Sequence, residues 1–453
     1  MSSILLKNIY HLHTSAGEED RQGYDLLIRD NIVARIGRDI DFSPSNGDKV
    51  IDCSRHVVVP GFVNTHHHFY QTLTRNIPAV QNVELFDWLI HLYDIWKKID
   101  EEAVYYSSLL AMAELMKTGC TTSTDHHYLY PKGFAADLMG VQFKAADTLG
   151  MRFSPTRGSM SLSKKDGGLP PDTVVQTEDE ILEDSERVIR EYHDEGELSM
   201  RKIVLAPCSP FSVTEELMKK SSELARKYGV RIHTHVAETM DENDYCVEVY
   251  GRRPLKLMED TGFIGNDVFY AHGIFFNDDE LKILAETGTH ISHCPSSNMR
   301  LGSGICRVTE MLPMGINVAL GVDGSASNDS SDMLGELRHA LLLQRVRYGA
   351  DALTARDVFR MASENGARLL GFPKVGQLKE GWAADLAVFD VHKLEYAGSL
   401  SDPLAALIFA GYNHGTDYTI VNGRITVEKG RLTGFPEDEL TGKANEIAQR
   451  LLD

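Results

Sequence analysis

From Pro60 to about residue 370 the chain alternates brief apolar runs with longer amphipathic stretches, and this alternation limits the possible folds more than any other feature. The runs are VVVPGFVNT, CTTSTDH, RFSPTRG, RKIVLAPC, RIHTHVAE, DVFYAHGI, THISHCP and NVALGVD. Between them lie segments such as EEAVYYSSLLAMAELMKTG, whose apolar spacing suits a helix. Strands joined by helical crossovers pair in parallel, and eight such units predict a closed (β/α)8 TIM-like barrel. The flanking segments differ. ILLKNIYHLHT, YDLLIRDNIVARIG and KVIDCSRHVVVP at one end, and GQLKEGWAADLAVFDV and YTIVNGRITVEKGRLTG at the other, alternate as β structure. The expectation is an α/β chain: a barrel over 59–372, a small β-sandwich built from 1–58 and 373–440, and a closing helix over 441–453.

Chemistry concentrates at the ends of the strand runs. NTHHHFYQTLTR carries three adjacent histidines, but strand side chains alternate between faces. His66 and His68 therefore point one way and His67 the other, so only the outer pair can grip one ion. At the C-terminal end of a barrel strand such a pair sits where barrel active sites form. HTHVAET repeats the spacing with His233 and His235, FYAHG ends a run at His272, and LGVDGSASND ends one at Asp323. Neutral imidazoles with one carboxylate suit Zn2+, or Fe2+, whereas Ca2+ and Mg2+ prefer oxygen ligands. A cation held there makes hydroxide available at neutral pH.

Composition narrows the partners. With 46 Lys+Arg against 66 Asp+Glu, the formal charge of -20 argues against nucleic acid or an anionic membrane and for a small neutral substrate. The six cysteines show no C-x-x-C spacing and read as reduced thiols of a cytoplasmic protein. No stretch approaches the roughly 20 apolar residues of a membrane span, and MSSILLKN lacks the form of a signal peptide. EEAVYYSSLLAMAELM suits a core helix or a homo-oligomer interface equally.

PGFVNTHHH, HVAET, AHG, HCPSSNMRLGSG and GVDGSASND, taken in order, resemble the motifs of the amidohydrolase superfamily, in its aminohydrolase branch that deaminates purines, pterins and triazines. The tail GQLKEGWAADLAVFD with VNGRITVEKG resembles that family's closing β segment. The resemblance implies one divalent metal on His66, His68, His235 and Asp323, with His272 on the attacking water and Glu238 as proton shuttle. It makes His235, the head of the HxxE pattern, the ligand rather than His233. KIVLAPC carries Cys208 where a two-metal relative would carry a carboxylated lysine, which favours a single metal. Gln71 matches a glutamine that reads a ring carbonyl.

Other substrate contacts follow from position. The polar segment TRGSMSLSKKDGGLPPD offers Arg157 to a carbonyl oxygen, Trp88 and Trp96 offer rings for stacking, and Cys208 offers a thiol to the pocket wall. The resemblance implies a heterocyclic substrate, 8-oxoguanine ahead of isoxanthopterin or a hydroxyatrazine-type triazine. A catalytically silent binding relative would have lost at least one ligand position, and none is lost.

Overall fold

The structure, a computed structural model, describes residues 3–132, 137–411 and 415–453. Among them the strand runs of the sequence all form strands. Seven lie in one curled parallel sheet, from His126–His127 through Thr156–Ser159, Val204–Pro207, Arg231–Val236, Val268–His272 and His290–His293 to Val318–Leu320. A second parallel sheet holds Arg152–Phe153, Cys120–Ser123 and Phe62–Asn64. The two sheets are sewn together by backbone bonds. His126 N–H donates to His67 O at 2.6 Å and Thr156 N–H to Asp125 O at 2.8 Å on one side. On the other, Thr65 N–H donates to Leu320 O at 3.0 Å and Asp323 N–H to His66 O at 3.0 Å.

Helices between the strands begin at side-chain caps. Thr177 and Glu180 form a capping box on Glu178–Tyr192, as do Asn277 and Glu280 on Asp278–Thr287. Several stop at left-handed glycines, Gly229 and Gly288 among them. The helix Glu101–Lys117 contributes Leu109, Met112, Leu115 and Met116 to the main core, so this run serves packing.

The two chain ends meet in β structure. Ser3–Ile9, Tyr24–Arg29, Ile32–Gly37 and Lys49–Asp52 make a four-stranded sheet. His11–Leu12 and His56–Pro60 join Leu386–Asp390, Tyr418–Val421, Arg424–Glu428 and Arg431–Leu432 in a six-stranded one. Leu6, Ile28, Val58, Leu386, Val388 and Ile420 share one apolar cluster that spans both sheets. Gly61 carries the chain from this region into the parallel strands, where a Cβ would lie 2.2 Å from Thr121. The closing helix runs Glu437–Leu452, not 441–453 as expected. Pro436 fixes its start, and Glu437, Asp438 and Glu439 complement the positive end of the helix dipole. Among the described residues no helix is long and apolar enough to cross a membrane.

Candidate active site

The strand tips converge. His66 Nε2 lies 3.3 Å from Asp323 Oδ1, His68 Nε2 3.4 Å from the same oxygen, and His235 Nε2 3.3 Å from His68 Nε2. His272 Nε2 stands 3.9 Å from Asp323 Oδ2 and 3.5 Å from Glu238 Oε2. Local backbone helps aim these groups: Ala237, His272 and Asp323 all take positive φ, at 57, 71 and 64°, a conformation side chains adopt at a cost and typically at functional sites. Glycines flanking Asp323 allow the crowding. A Cβ on Gly321 would meet His66 Cβ at 2.6 Å, and one on Gly324 would meet Gln71 Oε1 at 1.9 Å.

The hydrogen bonds behind the imidazoles fix their tautomers. His68 Nδ1–H donates to His126 O at 2.8 Å, and His235 Nδ1–H to Cys208 O at 2.7 Å. His233 Nδ1–H donates to Phe269 O at 2.9 Å, so its Nε2 accepts from His66 Nδ1–H at 2.9 Å. All three Nε2 atoms therefore present lone pairs inward. His66 Nε2 is buried without a hydrogen-bond donor, and the facing Nε2 atoms of His68 and His235 have no proton to share. Burial holds these imidazoles neutral, that of His68 pushed down to about 3. Burial would raise Asp323, but the surrounding imidazoles of His66, His272 and His68 favour its ionised form and keep it well below the usual carboxylate range. His66, His68 and Asp323 offer ligand atoms within 4.8 Å of one another, and His235 Nε2 adjoins that of His68; such a donor set suits a divalent metal, with the outer hydrogen bonds such sites use to orient histidine.

His67 points to the other face, its Nε2 3.0 Å from Ser331 Oγ. Glu238 is buried, and burial pushes its carboxyl up to about 7. Its backbone N–H and that of Ala237 both donate to Glu242 at 2.8 Å. His272 Nδ1–H donates to Asn298 Oδ1 at 3.0 Å. Burial works against its protonation, but Glu238 and Asp323 outweigh it and raise its pKa.

A small cavity opens from this cluster, lined by His68, Glu238, His272 and Asp323 and by Gln71, Trp88, Cys208 and apolar side chains. Burial raises the Cys208 thiol to about 12, so at neutral pH it is a neutral wall group. Two expected contacts lie elsewhere. Trp96 is a core residue whose Nε1–H donates to Thr74 Oγ1 at 3.0 Å. Arg157 turns away from the cavity: it is buried over the Tyr130 ring and donates to Asp184, Gln176 and its neighbour's carbonyl, because strand alternation aims it at the helix Glu178–Tyr192. The polar segment that supplies it is strand over Thr156–Ser159 and loop only afterwards.

Sequence reasoning missed His126, whose ring stacks on His235 at 4.7 Å and 14° and whose carbonyl orients His68. The doublet in TDHHYLY was the available signal. It also missed Glu242 and Asn298, which carry no spacing signature.

The amidohydrolase family profile matches residues 57–426. The chain belongs to the amidohydrolase family. It is 48% identical over 401 residues to an 8-oxoguanine deaminase of Pseudomonas aeruginosa, covering 88% of this chain and 89% of that one. An isoxanthopterin deaminase of an unknown prokaryote is 33% identical, with 95% and 92% covered. The solved atrazine chlorohydrolase of Arthrobacter aurescens TC1, complexed with zinc, superposes with a TM-score of 0.93 at 29% identity, covering 98% of this chain and 100% of that one. The family makes this chain a hydrolase, and its cluster of histidines and Asp323 fits a divalent metal such as the zinc of that solved relative.

Proposed function

We propose that this amidohydrolase is a single-metal deaminase that converts 8-oxoguanine and water to urate and ammonia. The observation that carries the reading is the inward convergence of three imidazole lone pairs and Asp323 beside a protonatable Glu238. The Nε2 atoms of His66, His68 and His235 with the Asp323 carboxylate would hold Zn2+. Such an ion lowers the pKa of water from about 15.7 toward about 7, making hydroxide available at neutral pH.

The chain's own groups do the rest. Asp323 takes the proton of the attacking water, and His272 Nε2, held by Asn298, keeps that water in line. Glu238, kept protonated near neutral pH by burial, donates to the ring nitrogen beside the amino-bearing carbon. Attack there makes a tetrahedral carbon, and a proton passed to its exocyclic nitrogen lets ammonia leave. Gln71 Oε1, buried without a donor, suits the N–H of a lactam edge. The 48% identical relative supports the purine.

The same reading treats the two parallel sheets as one eight-strand ring, closed through Thr65 and Leu320 and through His66 and Asp323, inserted at 59–372 in a β-sandwich of both termini. It makes the six buried, unpaired cysteines those of a cytoplasmic enzyme. Ammonia release from 8-oxoguanine, isoxanthopterin, guanine and hydroxyatrazine tests the substrate. The expected result is fastest turnover of 8-oxoguanine; an inert 8-oxoguanine beside a fast alternative would overturn the purine assignment.

A further inference from the structure

The cavity wall carries two buried polar atoms of opposite character that no protein group satisfies, the acceptor Gln71 Oε1 and the donor Trp88 Nε1–H. Gln71 follows His68 by three residues and belongs to the metal side. Trp88 sits on the helix Leu85–Trp96, which lines the cavity with Leu85, Trp88, Leu89 and Tyr93. Tyr93 spends its hydroxyl on Met160 Sδ at 3.6 Å, so the indole N–H is the unpaired donor of that helix. Trp88 is 3% exposed, and its ring contacts Trp96 at 5.4 Å, whereas His68 is ringed by Tyr70, Tyr128 and other histidines. Trp88 is linked to His68 by way of the Trp96 and Tyr70 rings, at successive centroid distances of 5.4, 5.2 and 6.2 Å, which sets it back from the metal ligands along the wall.

A buried donor without an acceptor is destabilising, and phenylalanine would fill the same apolar helix face without that cost. Indole nitrogen only donates, so its complement is an acceptor, and a carbonyl on a flat ring meets that need. We propose that Trp88 determines specificity by donating its N–H to an oxo group on the edge of the substrate away from the amino-bearing carbon. This rests on the deaminase reading and replaces the stacking role expected of Trp88 with a hydrogen bond.

A cycle between one protein atom and one substrate atom tests it. 8-Oxoguanine and guanine differ by a single oxo group, as do isoxanthopterin and pterin. Trp88→Phe should lower kcat/KM for the oxo member of the productive pair about ten- to a hundred-fold and leave the other member within about two-fold. The same cycle read as Kd by calorimetry in the Glu238→Gln enzyme removes any need for turnover. Equal losses on both members, no loss, or no binding of any of the four overturns the proposal. Failure of the deaminase reading looks different: no ammonia is released, yet the Kd cycle still shows coupling. Metal content and thermal melts check that Trp88→Phe is folded; if it is not, benzothienylalanine at position 88 keeps the ring and removes the donor.

Discussion

On the strand side of the cavity, each inward histidine has a partner behind it: His233 for His66, the His126 carbonyl for His68, the Cys208 carbonyl for His235 and Asn298 for His272. On the helix Leu85–Trp96 across from them, Trp88 has none and its neighbours are apolar. One side is held rigid before any ligand arrives, as metal sites and electrostatic catalysis require. The other leaves the Trp88 N–H for the ligand to satisfy, as discrimination requires. Variants on the first side should cost chemistry, and variants on the second should cost selectivity.

The sharpest break comes at the ligands. His235→Ala should lose the metal, read by elemental analysis of purified protein, and with it essentially all turnover. Full metal content in that variant would mean that His126, whose ligand atom lies within 4.8 Å of those of His66 and His235, holds the ion in its place.

Glu238→Gln should keep the metal and lose turnover by about 10²–10⁴, the range for a lost acid-base group. The pH profile sharpens this. Burial raises Glu238 to about 7, so its protonated form is full below that value and falls about ten-fold per pH unit above it. kcat/KM should decline on that alkaline side, and the glutamine variant should lack this limb. An unchanged rate would remove Glu238 from proton transfer.

Across the cavity the effect should be smaller and of another kind. Leu89→Ala removes apolar contact worth about 1–3 kcal/mol to a well-fitted ring, so KM should rise about ten-fold while kcat and metal content hold. A fall in kcat with unchanged KM would mean that this helix positions the reacting atoms, and the contrast between the two sides would collapse.

The two sides also differed in how far the sequence revealed them. HHH, HTH, AHG and GVDG mark strand ends, where a period of two and a parallel fold determine which side chains meet, so His66, His68, the His233 and His235 pair, His272 and Asp323 could be grouped without coordinates, and the family resemblance then singled out His235. The β-to-α alternation that defines the sheet was equally plain. Trp88 and Trp96 were indistinguishable in ELFDWLIHLYDIW, because an aromatic on a helix reveals its surroundings only once the helix is docked; one lines the cavity and the other is core. His126 lay hidden in a second doublet because its contribution runs through a ring stack and a backbone carbonyl, neither of which leaves a pattern in residue type.

Arg157 is the residue where that limit misled, and it supplies the smallest kinetic prediction. Its position after the third strand run suggested a substrate contact, yet its register sends it outward, where Asp184 at 2.5 Å, Gln176 at 2.9 Å and the Tyr130 ring occupy it fully. Arg157→Met keeps most of the apolar volume and strips the charge-assisted bonds. Asp184 is partly exposed and can rehydrate, so the loss should come to about 1–3 kcal/mol of stability, seen as a lower denaturant midpoint. kcat and KM should stay within about two-fold. A KM shifted ten-fold at unchanged stability would return Arg157 to the substrate side and show that the helix Glu178–Tyr192 does not hold it during turnover; an unchanged KM with a lowered midpoint leaves recognition to the opposite wall, where Trp88 and Leu89 stand.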